Sequence, residues 1–208
     1  MNTSEKVNFI LSTLNSLFPN PTVPLVYSDP FTLLISVILS AQCTDAMVNR
    51  VTKNLFALAD TPESIANLSF DVLAKIIRPC GLVNHKTSAI LKTSKILSEK
   101  FDGCVPDTFE ELESLPGVGH KTASVVMAQA FHKPAFPVDT HIARLAVRWG
   151  LSESKNVRKI EEILKKLFPQ NTWHDVHIQM IQYGRLYCPA RNHDLKKCII
   201  CARLHGQM

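Results

Sequence analysis

A chain of 208 residues, 46% hydrophobic and 20% charged, describes a globular protein that can bury the core of one domain or of two small ones. Its longest apolar run, residues 31–41, is too short to span a bilayer, and the N-terminus lacks the apolar core of a secretory signal. The net charge of +5 is uneven: residues 1–143 have a net charge of −2 and residues 144–208 one of +7, which favours an anionic partner such as the phosphate backbone of a nucleic acid.

Helical periodicity and capping residues predict an all-α fold with short connections. Only seven glycines and no alternating β pattern support this class. The predicted helices, in chain order, cover residues 4–18, 28–42, 44–58, a short helix from 61, then 69–81, 86–100, 107–115, 121–131, 142–149, 156–168 and 173–187.

The turn Pro116-Gly117-Val118-Gly119 separates two of these helices. It cannot continue either helix, because proline lacks a backbone donor and the two glycines allow positive φ. We expect exposed backbone N–H groups at the N-terminus of the second helix, where the helix dipole is positive. The turn therefore predicts a phosphate-binding pocket.

Lys121 lies in the first turn of that second helix, where a cation is unfavourable for the dipole. The positive helix end and partial desolvation would both favour its neutral, nucleophilic amine. The alternative is a solvated lysine that contacts phosphate. Asp139 precedes an apolar run and by itself predicts a helix N-cap. Nothing in the spacing alone brings the two residues together.

The segment LPGVGHKTA at residues 115–123, followed by VDTH at 138–141, resembles the helix-hairpin-helix DNA glycosylases, and specifically the endonuclease III family. Segments 40–45, 81–86 and 183–185 agree with this family in the expected order. The resemblance implies two helical lobes with a catalytic cleft between them. A six-helix barrel lobe would cover residues 22–133 and include the hairpin at about 112–131. Residues 1–21 and 134–208 would form the second lobe, which ends in a cysteine-containing loop.

The resemblance also implies a bifunctional DNA glycosylase and abasic-site lyase that removes oxidised pyrimidines from double-stranded DNA in base excision repair. Lys121 is the expected nucleophile: its neutral amine attacks C1′, expels the base and forms a Schiff base, and β-elimination then breaks the strand on the 3′ side. Asp139 is expected to stabilise the positive charge that develops on the sugar. Because C1′ is unreachable inside a stacked duplex, the nucleotide must be flipped out.

Two residues are expected to replace the flipped nucleotide. The resemblance implies that Gln42 fills the vacated space and that Leu82 wedges between bases of the other strand. Without the resemblance, Gln42 is interpreted as a polar helix terminus and Leu82 as a core leucine.

The remaining expected DNA contacts surround the two catalytic residues. The amides of Gly117, Val118 and Gly119 are expected to contact phosphate without base preference. His120 would add a weaker phosphate contact, because its ring is mostly neutral at physiological pH. His141 would orient Asp139 or contact phosphate, or it has no role beyond the first turn of its helix.

Three cysteines near the C-terminus depart from the family pattern. Endonuclease III typically has cysteines spaced C-x6-C-x2-C-x5-C around a [4Fe–4S] cluster, whereas Cys188, Cys198 and Cys201 are spaced C-x9-C-x2-C. The fourth position falls near Gln207. His193 or His205 would supply a fourth ligand to a cluster or to zinc, and the third interpretation is that no metal binds. The lyase chemistry needs no cofactor.

Two other functions fit parts of the sequence. A monofunctional glycosylase of the same fold, such as a mismatch adenine glycosylase, is disfavoured by Lys121 and by the length of the chain. A non-catalytic DNA-binding module would use the hairpin only. Even without a metal, the basic residues Arg191, Lys196 and Lys197 between the cysteines would still hold DNA. We expect a cytoplasmic monomer without membrane contact, which would be nucleoid-associated if the source is bacterial.

Overall fold

The computed structural model describes residues 1–195 and 197–206, and those residues form helices and no strands. The predicted all-α class is confirmed. The described part of the chain contains twelve α-helices, which in order are α1 (Thr3–Leu17), α2 (Pro30–Ser40), α3 (Asp45–Leu58), α4 (Pro62–Ala66), α5 (Phe70–Ile77), α6 (Val83–Lys100), α7 (Phe109–Ser114), α8 (His120–Gln129), α9 (Thr140–Arg148), α10 (Val157–Leu167), α11 (Trp173–Leu186) and α12 (Ile199–Leu204). None of them has the length and apolar character needed to cross a membrane.

The chain divides into two compact units. One consists of Val23–Lys133, and the other of Met1–Thr22 with the described residues from Pro134 onward.

Helix α2 is the centre of the Val23–Lys133 unit. All its residues from Phe31 to Leu39 are buried, because α3, α6 and α8 each pack against it. A helix that is apolar on every side is stable in water only when neighbours cover it in this way. Its start is fixed by Asp29, whose side chain accepts from the Thr32 N–H, and by Pro30 in the first turn.

The second unit is built on α9 and α11, which pack against each other, with α1 against α11 and α10 against α9. Its largest fully buried side chains are Trp149, Tyr183 and Phe136. Trp149 and Tyr183 meet edge to face, with ring centroids 5.6 Å apart. Helix α12 was not predicted, since its six residues are too few to show a helical period.

Candidate active site

The hairpin turn is locked onto α6 by close packing. Gly117 has φ +80°, and a Cβ at this position would lie 2.7 Å from the Cβ of Ala89. Glycine is therefore required here for its left-handed backbone and for lack of a side chain. The Thr93 hydroxyl donates to the Pro116 carbonyl at 2.8 Å and holds the turn in place.

Gly119 and Val118 differ from their predicted roles. Gly119 has φ −92° and does not use the positive φ that glycine allows. It is the extended N-cap of α8 and has no side chain to cap the first amides of this helix. The Val118 N–H donates to the Leu115 carbonyl at 3.0 Å, and its side chain is buried. This amide is thus used within the hairpin, and the predicted phosphate contact from Val118 is corrected to an anchoring role for its side chain.

His120 joins the two helices of the hairpin. Its Nδ1 lies 2.6 Å from the Glu113 carboxylate, and its ring stacks on Phe109 with centroids 5.4 Å apart. Both partners belong to α7. A phosphate at His120 would therefore compete with an existing carboxylate contact.

Lys121 is exposed in the first turn of α8, so the expected partial burial is wrong. The buried face of α8 begins at Ala123, and Lys121 lies outside it. Two causes were proposed for a neutral amine, the positive end of the helix and partial desolvation. Only the position at the positive end of the helix is found in the structure. The exposed position also leaves the side chain accessible to a large substrate.

Asp139 is the N-cap of α9, as its sequence context predicts. Its Oδ1 accepts from the Ile142 N–H at 2.8 Å, and the residue is half-buried. A carboxylate has about four acceptor positions, so this single hydrogen bond leaves capacity for a substrate.

His141 contacts the cationic groups beside it. Its Nδ1 lies 3.1 Å from a guanidinium nitrogen of Arg144, and because arginine only donates, Nδ1 accepts and the proton of the neutral ring is on Nε2. Burial lowers the pKa of His141; Asp139 partly offsets this, while Arg144 and Arg185 lower it further. The side chain is therefore a neutral donor at physiological pH.

Gln42 and Leu82 share an unusual conformation. Both are exposed and both have left-handed backbones, with φ +55° and +47°. The interpretation of Leu82 as a core leucine is wrong, since its side chain is 47% exposed. A non-glycine residue in this region is strained by about 1–2 kcal/mol, so the surrounding structure must hold both loops in place.

Lys86, for which no role was predicted, holds both loops. Its side chain is buried, and Nζ donates to the carbonyls of Leu39, Ala41 and Cys80 at 2.8, 2.7 and 2.8 Å. Ala41 directly precedes Gln42, and Cys80 lies two residues before Leu82. A signal was present, because Lys86 falls at the helical spacing of the buried face of α6, one turn before Ile90.

We predict that Lys86→Met lowers the free energy of unfolding by about 3–5 kcal/mol, because two buried carbonyls and one partly buried carbonyl lose a charged donor. It should also weaken binding to a duplex with an abasic site, since the loops of Gln42 and Leu82 lose their shared anchor. Denaturant unfolding and a gel-shift assay measure the two effects. Lys92→Met, at an exposed position on the same helix, is the control and should change stability by less than about 0.5 kcal/mol. Equal effects of the two substitutions would contradict the assigned role of Lys86.

The C-terminal cysteines form a group that can bind a metal. The ligand atoms of Cys188, His193, Cys198 and Cys201 all lie within 4.8 Å of one another, and the three cysteines are buried. Of the two candidate histidines, His193 belongs to this group, whereas the Nε2 of His205 pairs with the Arg148 carbonyl at 3.1 Å.

Two residues named for this region, Lys196 and Gln207, lie outside the described part of the chain. Arg191 and Lys197 are exposed in the loop before α12.

Comparisons with known proteins agree along nearly the whole chain. Residues 35–170 match the HhH-GPD superfamily base excision DNA repair protein family. Endonuclease III of Haemophilus influenzae is 46% identical over 96% of this chain and 94% of its own length, and endonuclease III of Escherichia coli K12 is 42% identical over the same shares. A solved structure of a non-covalent endonuclease III–DNA complex superposes with a TM-score of 0.92 at 38% identity, covering 100% of this chain and 99% of that one. The chain therefore belongs to the endonuclease III family within the HhH-GPD superfamily of base excision DNA repair proteins.

Proposed function

We propose that this protein is a bifunctional DNA glycosylase and abasic-site lyase that removes oxidised pyrimidines from double-stranded DNA. The observation that supports this function most directly is Lys121, an exposed amine in the first turn of a helix that follows a glycine hairpin. Family membership over the whole chain supports the same activity. One of the solved structures similar to this chain is a trapped covalent endonuclease III–DNA intermediate, to which the chain matches with a TM-score of 0.92.

DNA binding would use backbone groups and net charge. The N-terminus of α8 offers amides that no side chain caps, and such a helix end binds phosphate. The unit that contains Asp139 has 13 basic and 7 acidic side chains in residues 1–22 and 134–208, so it attracts the duplex. Because phosphate contacts carry no sequence information, selection of a damaged site must come from the flipped nucleotide.

Gln42 and Leu82 would stabilise the duplex after flipping. Their exposed side chains stand on strained loops that Lys86 joins to a common anchor, so both are presented without a costly rearrangement. Leu82 as a wedge offsets unstacking by apolar contact, and the amide of Gln42 hydrogen-bonds the base left without a partner.

The reaction proceeds through a covalent sugar intermediate. The neutral Lys121 amine attacks C1′ as the N-glycosidic bond breaks, and the departing base takes the electron pair and a proton. Asp139 stabilises the positive charge that builds on the sugar in this step. The lone pair of the Lys121 nitrogen then expels the ring oxygen: the C1′–O4′ bond breaks, O4′ takes its electron pair and a proton, and a protonated imine forms at C1′. This imine acidifies the C2′ hydrogen, and loss of that proton breaks the C3′–O bond and expels the 3′ phosphate. Because Lys121 is exposed in the protein alone, we infer that bound DNA supplies the desolvation that favours the neutral amine.

No step requires a cofactor. Four cysteines hold the [4Fe–4S] cluster in the family pattern, whereas the described residues bring three cysteines together with His193. We therefore assign no cluster chemistry to this chain. Since its substrate is chromosomal DNA and its relatives are bacterial proteins, we propose that it acts in the cytoplasm on the nucleoid.

A duplex with one oxidised pyrimidine separates this function from the monofunctional alternative. The expected product is a strand cut on the 3′ side of the lesion without alkali, with an unsaturated aldehyde at the new 3′ end. Denaturing electrophoresis before and after alkali treatment makes the comparison, and an adenine mismatched with an oxidised guanine is the control substrate. Cleavage that appears only after alkali would indicate base removal without lyase activity.

A further inference from the structure

We propose that Cys188, His193, Cys198 and Cys201 form a mononuclear, tetrahedral zinc site. The proposal depends on these four residues alone and is independent of the proposed function. One histidine with three thiolates is a common ligand set of structural zinc.

Distances between the ligand atoms match one small ion. A tetrahedral zinc with Zn–S bonds of about 2.3 Å separates its sulfurs by about 3.8 Å. The Sγ atoms of Cys188 and Cys201 lie 3.7 Å apart, and all four ligand atoms lie within 4.8 Å of one another. A four-iron cluster places irons and sulfides between its thiolates and needs a wider cage. A disulfide is also absent from the described residues, in which every cysteine is free.

His193 replaces the fourth cysteine from a different part of the sequence. The family pattern places that cysteine after the C-x2-C pair, whereas His193 lies before it, in the loop between Cys188 and Cys198. This loop is longer than in the family pattern, with nine residues instead of six. The Nε2 of His193 is buried and makes no hydrogen bond among the described residues, so the ring has an unused nitrogen at the site.

The surroundings support a bound, anionic thiolate site. A guanidinium nitrogen of Arg148 lies 3.2 Å from the Sγ of Cys188, and the Tyr183 hydroxyl lies 3.3 Å from the Sγ of Cys198. Zinc with three thiolates has a net charge of −1, which the adjacent guanidinium offsets. Tyr183 also accepts from the Ile200 N–H at 3.0 Å, so the same residue connects the site to the start of α12. A metal here would tie the end of α11 to α12.

Metal analysis of the full-length protein, purified without oxygen or chelator, tests the proposal. We expect about one zinc per chain, no iron and no acid-labile sulfide. Exchange with Co²⁺ should give the intense visible bands of tetrahedral thiolate coordination, and chelation should lower the melting temperature. Iron with stoichiometric sulfide, or metal-free protein in which Cys188, Cys198 and Cys201 react with a thiol reagent, would overturn the proposal.

Variants test the fourth ligand. His193→Ala should lower the affinity for Zn²⁺ by roughly a hundredfold, since one of four ligands is lost. His193→Cys should restore it, because a thiolate is an equivalent ligand. His205→Ala is the matched control and should leave affinity unchanged. If both alanine variants bind Zn²⁺ like the wild type, His193 is not a ligand. If His193→Ala does not fold, the wild type is used instead, and the rate of Zn²⁺ transfer to a chromophoric chelator is measured before and after histidine modification. A faster transfer after modification is expected, and an unchanged rate would contradict ligation by His193.

Discussion

Replacing Lys121 with alanine is expected to abolish covalent trapping of the protein on abasic DNA by borohydride. The amine is the group that bonds to C1′, so its removal leaves no imine to reduce. The rate of strand cleavage by β-elimination should fall by at least about 10³-fold, which is the scale of loss seen when an enzyme's nucleophile is removed. Denaturing electrophoresis of the borohydride-treated mixture measures both quantities. Stability should change little, because Lys121 is exposed in the first turn of α8.

Lys121→Arg separates nucleophilic chemistry from phosphate binding. Arginine keeps the positive charge but does not deprotonate in proteins, so this variant should bind abasic DNA with nearly wild-type affinity and still fail to form the adduct. Lys95→Ala, at an exposed position that pairs with Glu99 on α6, is the control and should trap normally. Adduct formation by Lys121→Arg at the wild-type rate would leave Lys121 as a phosphate contact only.

The second large effect is expected for Asp139→Asn. The substitution removes the carboxylate charge that stabilises the sugar in the transition state, and the base-removal rate should fall by about 10²–10³-fold. Asparagine is as good an N-cap as aspartate, so the hydrogen bond to the Ile142 N–H is retained and the melting temperature should stay near that of the wild type. Single-turnover kinetics on an oxidised pyrimidine measures the rate.

Asp139→Ala provides the comparison for structure. This variant loses the cap as well as the charge, and α9 should be destabilised by about 1 kcal/mol. If the asparagine and alanine variants lose the same stability and neither loses activity, Asp139 serves as a cap alone. The two substitutions thus distinguish the N-cap role, which the local sequence predicts, from the role in stabilising charge on the sugar, which the resemblance implies.

Local rules predicted the helices and the cap at Asp139, because these depend on residues within one or two turns. The same rules failed at the hairpin. The sequence indicates that both glycines of Gly117-Val118-Gly119 allow positive φ, but only Gly117, which packs against Ala89, adopts it. The difference depends on a neighbour that lies 28 residues earlier in the chain, which a local pattern cannot contain.

Burial was the least predictable property. Lys86 is a charged residue in a polar segment. Its three carbonyl partners belong to the C-terminal end of α2 (Leu39 and Ala41) and to Cys80, which approach it only in the fold. The sequence alone predicts a core leucine at Leu82, whereas the structure gives it a left-handed backbone and a side chain that is 47% exposed. Conversely, Lys121 was expected to be partly desolvated and is exposed. In each case the deciding factor is which side of a helix or loop another element covers.

The site of the covalent bond is the central claim, and peptide mapping of the trapped complex tests it most directly. Borohydride-reduced complex with abasic DNA, digested with nuclease and protease, should give one peptide with a deoxyribose-derived adduct, and fragmentation should assign that adduct to the Nζ of Lys121. An adduct on the terminal amine or on any other lysine, with the Lys121 peptide unmodified, would contradict the mechanism proposed for this chain.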